Sequence, residues 1–309
     1  MSPRELAEEL AAGLREQVLP ALGSHAARSH AGDADGGDVT FAMDAEAEAY
    51  LERFLARRAP GVALYSEDRG LVGARGAEHV LVVDPVDGTR PALAGLESAC
   101  VSVAVAALGD GDPRMADVEV GVIVEIKSGA RFVAERGRGV EADAPLSRSA
   151  NADLERMFWV YGLRGRPARA MAEVLGDLLD RSSVGGGAFE LGSATYDMTR
   201  VLTGQLDAYV EPGPLMIEAV PGMLDEFRRV GGGAVLNNAP YDVAAATLCL
   251  TEGGATVTDA AGRPLDGRPL LGSGPEFQMS IVAAANEPLH RRLVAEVARG
   301  IERLRELDR

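Results

Sequence analysis

The most constraining feature of this sequence is an apolar run that ends in two closely spaced aspartates. The stretch HVLVVDPVDGTRPALAG covers residues 79–95, and its first half is typical of a buried β-strand. Asp84 and Asp87 stand at the end of that run, separated only by a proline and a valine. Two carboxylates so close together repel each other, and burial of either one in its charged form is costly. A chain that folds around this segment therefore needs a positive group at the tip of the strand.

The residue types around the two aspartates favour a hard divalent cation next to a phosphate. Mg²⁺ takes oxygen ligands in a near-octahedral shell and keeps waters that a phosphate can share. The step between Asp84 and Asp87 leaves the Val86 carbonyl available as a further oxygen ligand. A glycine at position 88 permits a tight turn, and the backbone amides of residues 88–90 can open toward an anion.

Three further segments supply carboxylates in an order along the chain that supports such a site. They are YSED with Glu67 and Asp68, DVTFAMD with Thr40 and Asp44, and YDVAAATLCLTEGG with Asp242 at a helix start. DPVDGT alone is also compatible with a capped turn, because Asp, Pro and Gly are ordinary turn residues. Asp44 is interpreted either as a helix cap or as a residue that supports catalysis, and Thr40 as a local cap or strand residue.

Hydrophobic periodicity predicts a mixed α/β protein of the α+β kind. Strands are predicted within residues 61–67, 79–84, 98–108, 117–129, 130–137, 156–163, 205–211 and 280–286. Helices are predicted within residues 1–23, 38–58, 167–181, 193–204, 241–254 and 287–307. Gly129 is predicted to supply a hairpin turn, residues 23–37 a mobile glycine-rich loop, and the GGG clusters at 185–187 and 231–233 loop joints.

The chain shows no internal repeat and no long linker, so we expect one compact catalytic unit. A soft boundary is predicted between the hairpin and Trp159. The N-terminal α+β half, residues 1–150, then carries most of the candidate metal ligands. The C-terminal α/β half, residues 151–309, carries Asp242 and the residues on the substrate side.

Composition and charge exclude several classes of partner. The formal net charge is −16, which argues against nucleic acid and against an anionic membrane surface, since both would be repelled. Cys100 and Cys249 lie in apolar runs without metal-ligand spacing, as expected of reduced, buried residues in a cytoplasmic protein. The first segment places Leu6 and Leu10 on one helical face and carries charges throughout, so a signal peptide is not expected, and no apolar run is long enough to span a bilayer.

At this point the sequence resembles the inositol monophosphatase family, within the lithium-sensitive sugar phosphatases. The resemblance rests on DPVDGT and YDVAA in that order, with DVT..D and SED upstream, and on LGSATYD and TEGGATVTDAAGRPL. It covers nearly the whole chain. It implies a layered αβαβα fold, two to three Mg²⁺ ions and a homodimer.

The resemblance also implies a set of metal ligands. Glu67, Asp84 and the Val86 carbonyl resemble the ligands of a first ion, and Asp84, Asp87 and Asp242 those of a second. Glu67 is further implied to touch a third, weaker ion.

Roles outside the metal ligands are implied in the same way. Thr89 resembles the residue that orients the nucleophilic water, with Asp44 hydrogen-bonded behind it, and Glu67 shares in catalysis. The amides of Gly88 and Thr89 resemble phosphate binders. Ala194 and Glu211 fall near positions that contact the hydroxyl-bearing ring of the substrate, with a surface carboxylate as the alternative interpretation of Glu211.

The activity implied is Mg²⁺-dependent hydrolysis of a small polyol or sugar phosphate by a metal-activated water. Inositol monophosphate is the default substrate, and fructose bisphosphate and bisphosphate nucleotides are the alternatives. A non-catalytic metal- or ligand-binding protein on the same fold is the alternative from another class.

Three departures from the family pattern bear on the substrate. The loop before Asp38 lacks the lysine that is usual in many relatives. The signature continues with Arg90, Pro91 and Ala92, where relatives often have Thr-Asn-Phe or similar. Residues 212–240 form a long segment where common relatives have only a few residues. The insert is predicted to form a short helix interrupted at Pro221 and to cover the pocket mouth, where it would set substrate choice. A surface or subunit-contact excursion is the alternative.

Overall fold

The computed structural model describes residues 1–33, 39–73 and 76–307. In these ranges the α-helices are α1 Pro3–Val18, α2 Ala42–Arg58, α3 Thr89–Ala94, α4 Ala168–Ser182, α5 Ala194–Thr203, α6 Gly213–Ala219, α7 Met223–Val230, α8 Pro240–Glu252 and α9 Glu287–Leu307. None of the helices in this described part of the chain combines the length and apolarity that crossing a bilayer requires.

The strands form two large sheets and one small hairpin. They are β1 His30–Asp33, β2 Val39–Phe41, β3 Ala63–Ser66, β4 Gly70–Val72, β5 His79–Asp87, β6 Cys100–Ala107, β7 Val118–Glu125, β8 Arg131–Glu135, β9 Gly139–Ala142, β10 Phe158–Tyr161, β11 Gly187–Phe189, β12 Ala208–Glu211, β13 Thr256–Thr258 and β14 Ile281–Ala284. The strand orders are β1-β2, β4-β3-β5-β6-β7-β8-β9 and β11-β10-β12-β14-β13.

The inner strands β3, β5, β6 and β7 of the seven-stranded sheet are buried on both faces, which explains their nearly continuous apolar runs. Strand β3 pairs parallel with β5, and the other neighbours pair antiparallel. Alternate residues of β5 point to opposite faces. Leu81 and Val83 pack with α1 and α2, whereas Val80 and Val82 pack with the cluster that contains α5 and α8.

The five-stranded sheet is covered in the same way. Strand β10 is parallel to its neighbours β11 and β12, and β14 is antiparallel to β12 and β13. Trp159 and Val282 pack against α4 and α9, while Val160 and Ala283 face the cluster that contains α5 and α8. Helices α5 and α8 therefore lie between the two sheets, and the layers follow the order αβαβα, which confirms the predicted fold.

Most predicted elements are present, with differences at their ends. Gly129, at φ 78°, lies in the turn between β7 and β8, as expected for a hairpin glycine. Helix α2 begins at Ala42 rather than at Asp44, and Asp44 is its third residue. The prediction of a loop at residues 185–187 is wrong for Gly187, because this residue begins β11.

The predicted loop at 23–37 is also partly structured. It contains β1, which pairs with β2 in the antiparallel direction. Residues 34–38 lie outside the described part of the chain, and with them the expectation about the loop before Asp38.

Candidate active site

Three aspartates from two elements meet at one edge of the seven-stranded sheet. Asp84 and Asp87 end β5, and Asp242 lies in the first turn of α8. Each offers a carboxylate oxygen, and these oxygens all lie within 4.8 Å of one another. The Asp242 carboxylate also accepts the Ala239 N–H at 2.6 Å, which holds it at the helix start.

A local irregularity in β5 turns both of its aspartates toward this edge. Asp84 pairs with Ser102 and Asp87 with Cys100. Between these two pairs β5 contains one residue more than β6, which makes a β-bulge. The Val86 N–H donates to Asp84 Oδ1 at 2.9 Å across the bulge. The DPVD spacing thereby becomes a pair of carboxylates on one side of the strand end.

Gly88 is required directly after the bulge. It has φ 93°, and a Cβ there would lie 2.6 Å from the Ser98 carbonyl oxygen and 2.9 Å from the Ser193 Cβ. The absence of a side chain lets the start of α5 approach β5. As a result, Ser193 Oγ and the Thr195 N–H donate to Asp87 Oδ2 at 2.8 and 2.6 Å.

Burial and mutual repulsion disfavour the ionised form of the three aspartates. Burial is the largest cause that raises their pKa values, followed for Asp84 by the charge of Glu67 and for Asp242 by the charge of Asp87. The pKa of Asp242 rises from its ordinary value of 3.8 to about 7. The hydrogen bonds from Thr195 work against the rise at Asp87.

This cluster fits a divalent cation. Its donors are carboxylate oxygens, which Mg²⁺ prefers over nitrogen and sulfur ligands. A cation among them would offset the repulsion that raises their pKa values, because it favours the charged form of each group.

The remaining candidate ligands lie beside the cluster. Glu67 directly follows β3, acts on Asp84 by charge, and lines a cavity together with Tyr241 and Asp242. Within the described residues the group of mutually close carboxylate oxygens contains the three aspartates and not Glu67. The Val86 carbonyl accepts a hydrogen bond from Thr89 Oγ1 at 3.1 Å.

Thr89 and Asp44 are in contact, although 45 residues separate them. Thr89 Oγ1 lies 3.1 Å from Asp44 Oδ1, and the other oxygen of Asp44 accepts the Phe41 N–H at 2.8 Å. Asp44 therefore caps the start of α2 and reaches Thr89 with the same carboxylate. Thr40 Oγ1 donates to Asp68 Oδ1 at 2.8 Å, which ties β2 to the segment after β3.

A polar cavity opens next to the aspartates. Asp87 and Asp242 form one side, and Ala194, the first residue of α5, lines it too. The opposite side comes from the loop after β10 and from the segment before α8, with Arg164, Arg166, Leu236, Asn237 and Asn238. Buried Asp197 also lines this cavity, and burial followed by the charge of Asp87 raises its pKa well above the ordinary range.

Glu211 lies beneath this cavity rather than on its surface. It is fully buried at the end of β12, where it forms an ion pair with Arg166 and accepts the Gly213 N–H at 2.8 Å. It is absent from the residues that line the cavity in the described part of the chain. The alternative of a surface carboxylate is wrong, because none of Glu211 is exposed.

A family model described as the inositol monophosphatase family matches residues 3–302. The chain belongs to the inositol monophosphatase family. This confirms the predicted family and the predicted class of enzyme, since the family is one of phosphatases, which hydrolyse phosphoric monoesters.

Individual relatives of this inositol monophosphatase family member are distant but cover most of it. It is 26% identical over 264 residues to an inositol-1-monophosphatase of Mesorhizobium japonicum, with 83% of this chain and 86% of that protein covered. It is 27% identical over 299 residues to a fructose-1,6-bisphosphatase/inositol-1-monophosphatase of Methanothermobacter thermautotrophicus, with 94% of each covered. An IMPase structure from Thermotoga maritima matches its fold with a TM-score of 0.72 at 19% identity, over 98% of this chain and 100% of that one.

The insert that departs from the family pattern folds into two short helices, α6 and α7, with Pro221 between them. Met216 and Phe227 of these helices are buried in the cluster that contains α4 and α9, so the helical body packs on the protein. Only the returning segment, residues 235–238, reaches the cavities at the aspartates.

Sequence reasoning missed several polar residues that line the cavity beside the three aspartates. Arg164 and Arg166 lie in GLRGRPARA after β10, and Asn237 and Asn238 in LNNAP before α8. The only sequence signal was position, because polar residues that follow a strand or precede a helix at the edge of a sheet are placed to meet a ligand.

Proposed function

We propose that this protein is a Mg²⁺-dependent phosphomonoesterase that acts on a small polyol or sugar phosphate, with inositol monophosphate as the first candidate. The observation that carries the proposal is the cluster of three aspartates, two of them buried, beside a polar cavity. The names of the Mesorhizobium and Methanothermobacter relatives support the substrate class.

In this proposal the metal ions are held by Asp84, Asp87 and Asp242, with Glu67 and the Val86 carbonyl completing a set for two to three ions. Bound ions would neutralise the phosphoryl oxygens, assist ionisation of the attacking water and stabilise the departing alkoxide. When ionised, the four carboxylates carry enough negative charge to offset two divalent ions.

Thr89 orients the attacking water. Its hydroxyl lies 3.1 Å from the Asp44 carboxylate. An ionised carboxylate has no proton to donate, so it acts only as a hydrogen-bond acceptor. The Thr89 hydroxyl has one proton, which the Asp44 carboxylate or the Val86 carbonyl can accept, since both lie 3.1 Å away. The Thr89 oxygen keeps a lone pair to accept a proton from the water. The backbone amides of Gly88 and Thr89, at the turn after β5, bind the phosphate, and Ala194 contacts the rest of the substrate.

Fructose bisphosphate is the second candidate substrate, and a charge at the cavity favours it. Arg164 lines both cavities next to Asp242, and its charge partly opposes the rise that burial causes in the pKa of Asp87 and of Asp242. A guanidinium at this position can attract a second phosphate on the substrate.

We further infer that residues 1–150 and 151–309 act as one catalytic unit, and that the working form is a cytoplasmic homodimer. Support comes from the family resemblance and from Cys100 and Cys249, which are both free and buried, as expected in a reducing compartment. Light scattering on the purified protein measures the oligomeric state directly.

The test of the function is Mg²⁺-dependent phosphate release from inositol 1-phosphate, fructose 1,6-bisphosphate, a bisphosphate nucleotide and p-nitrophenyl phosphate. We expect release from the first two and loss of all release in Asp84→Asn. Correctly folded protein that releases phosphate from none of the four would instead identify a non-catalytic binding protein.

A further inference from the structure

Asn237 is an unusual residue in the segment that returns from the insert. Its side chain is 8% exposed, and neither Nδ2 nor Oδ1 has a hydrogen-bond partner within the described residues. A buried amide without partners is costly, because it gives up its hydrogen bonds to water and gains none in return. A ligand or an ordered water can supply the missing hydrogen bonds of such a group.

The side-chain amide of the neighbouring Asn238, in contrast, forms hydrogen bonds within the protein. Its Nδ2 donates to the Tyr209 hydroxyl at 2.7 Å, and its Oδ1 accepts from Arg166 Nη2 at 3.5 Å. Two adjacent asparagines of similar burial therefore differ in one respect. Asn238 is bonded within the protein, and Asn237 is not.

The location of Asn237 points to the substrate as its partner. It lines the cavity formed by Asp87, Asp242 and Ala194, and it also lines the neighbouring cavity that contains Glu67 and Asp242. A phosphoester whose phosphate lies at the aspartates must extend its alcohol part into this space.

The chemistry of an amide selects the kind of group that it can bind. A carboxamide offers a donor and an acceptor side by side without net charge, and a hydroxyl both donates and accepts. The carboxylate that the family resemblance assigns to this task, Glu211, is already bound by Arg166 and Gly213. We propose that Asn237 is a specificity residue that exchanges hydrogen bonds with a hydroxyl group of the polyol or sugar part of the substrate, an inference that rests on the proposed function.

The proposal predicts that stability and specificity respond in opposite directions to one substitution. Asn237→Leu replaces the unpaired amide by an apolar side chain of similar size, so we expect a melting temperature equal to or above that of the parent. For the same variant, kcat/KM for inositol 1-phosphate should fall about 10-fold or more, since two hydrogen bonds are lost. With p-nitrophenyl phosphate, which has no such hydroxyl, kcat/KM should stay within about 2-fold of the parent value.

Asn238→Leu is the matched control. It leaves the buried Tyr209 hydroxyl without its partner, so its melting temperature should fall, in contrast to that of Asn237→Leu. Asn237→Ala, which cannot overfill the site, repeats the test if the leucine variant does not fold.

Binding separates this inference from the proposed function. Calorimetric titration of inositol 1-phosphate in Mg²⁺ needs no turnover, and about a 10-fold loss of affinity in Asn237→Leu supports the proposal even if the parent hydrolyses neither ester. Unchanged affinity and an unchanged kcat/KM ratio in Asn237→Leu would overturn it.

Discussion

Replacement of Asp242 by asparagine should stabilise the metal-free protein while it destroys the metal site. Asparagine has the same shape as aspartate, and its side-chain oxygen can still accept a hydrogen bond from the Ala239 N–H. In the wild type this N–H donates to the Asp242 carboxylate at 2.6 Å. Its amide nitrogen can donate toward Asp84, which removes a repulsion and supplies a hydrogen bond. The variant therefore separates the charge of Asp242 from its packing.

The pKa of Asp242 sets the size of the effect. A rise from 3.8 to about 7 corresponds to about 4 kcal/mol, at about 1.4 kcal/mol for each pKa unit. Because Asp84 and Asp87 share this titration, we expect a net gain of about 2 kcal/mol in the free energy of unfolding of the variant at pH 8.

The difference in the free energy of unfolding between the variant and the wild type should increase with pH. Between about pH 4 and about pH 7 the folded wild type keeps the proton on Asp242, whereas the unfolded chain releases it, so wild-type stability falls as the pH rises. The loss is complete above the folded pKa of about 7. The advantage of the variant should be small near pH 4, grow up to about pH 7 and remain constant above it.

Urea unfolding in EDTA, followed by the fluorescence of the single, buried Trp159, measures these free energies. A second series in Mg²⁺ should stabilise the wild type, because ions that bind only the folded state add to its stability, and should not stabilise the variant. The reasoning fails if the variant and the wild type keep a constant difference from about pH 5 to about pH 8, or if Mg²⁺ stabilises both equally.

Three further predictions concern activity. Asp84→Asn should lower the rate of phosphate release by several orders of magnitude with an unchanged circular dichroism spectrum, and near-normal turnover at saturating Mg²⁺ would contradict the site. Thr89→Val or Asp44→Asn should lower kcat by about 100-fold with little change in Mg²⁺ affinity, whereas a rise in KM alone in steady-state kinetics would indicate a binding role. Replacement of residues 213–236 by a short glycine-serine bridge should change the ranking among phosphorylated substrates but keep hydrolysis of p-nitrophenyl phosphate; because Phe227 is buried, the melting temperature should also fall. An unchanged ranking in the folded protein would show that the insert is no specificity element.

The sequence by itself determined the elements whose cause is local. The DPVDGT run contains both the carboxylates and the glycine that the turn after β5 needs, so the strand end could be predicted without knowledge of its neighbours. Strands β3, β5, β6, β7 and β8 of the seven-stranded sheet were predicted because most of their residues are buried and apolar. The short outer strands β4 and β9 were not predicted, because they are partly exposed and carry no such run. The position of Asp242 followed from its place in the first turn of a helix, although its approach to Asp84 required the family pattern.

Only the tertiary structure decided what lies opposite the aspartates. Whether Glu211 meets a substrate or an internal partner depends on Arg166, which comes from a different loop and is 45 positions away in sequence. Likewise, nothing in LNNAP distinguishes Asn237 from Asn238, because the difference arises from the Tyr209 hydroxyl on another strand. Hydrogen bonds and ion pairs between distant segments follow no sequence period, so these contacts become apparent only when packing has brought the segments together.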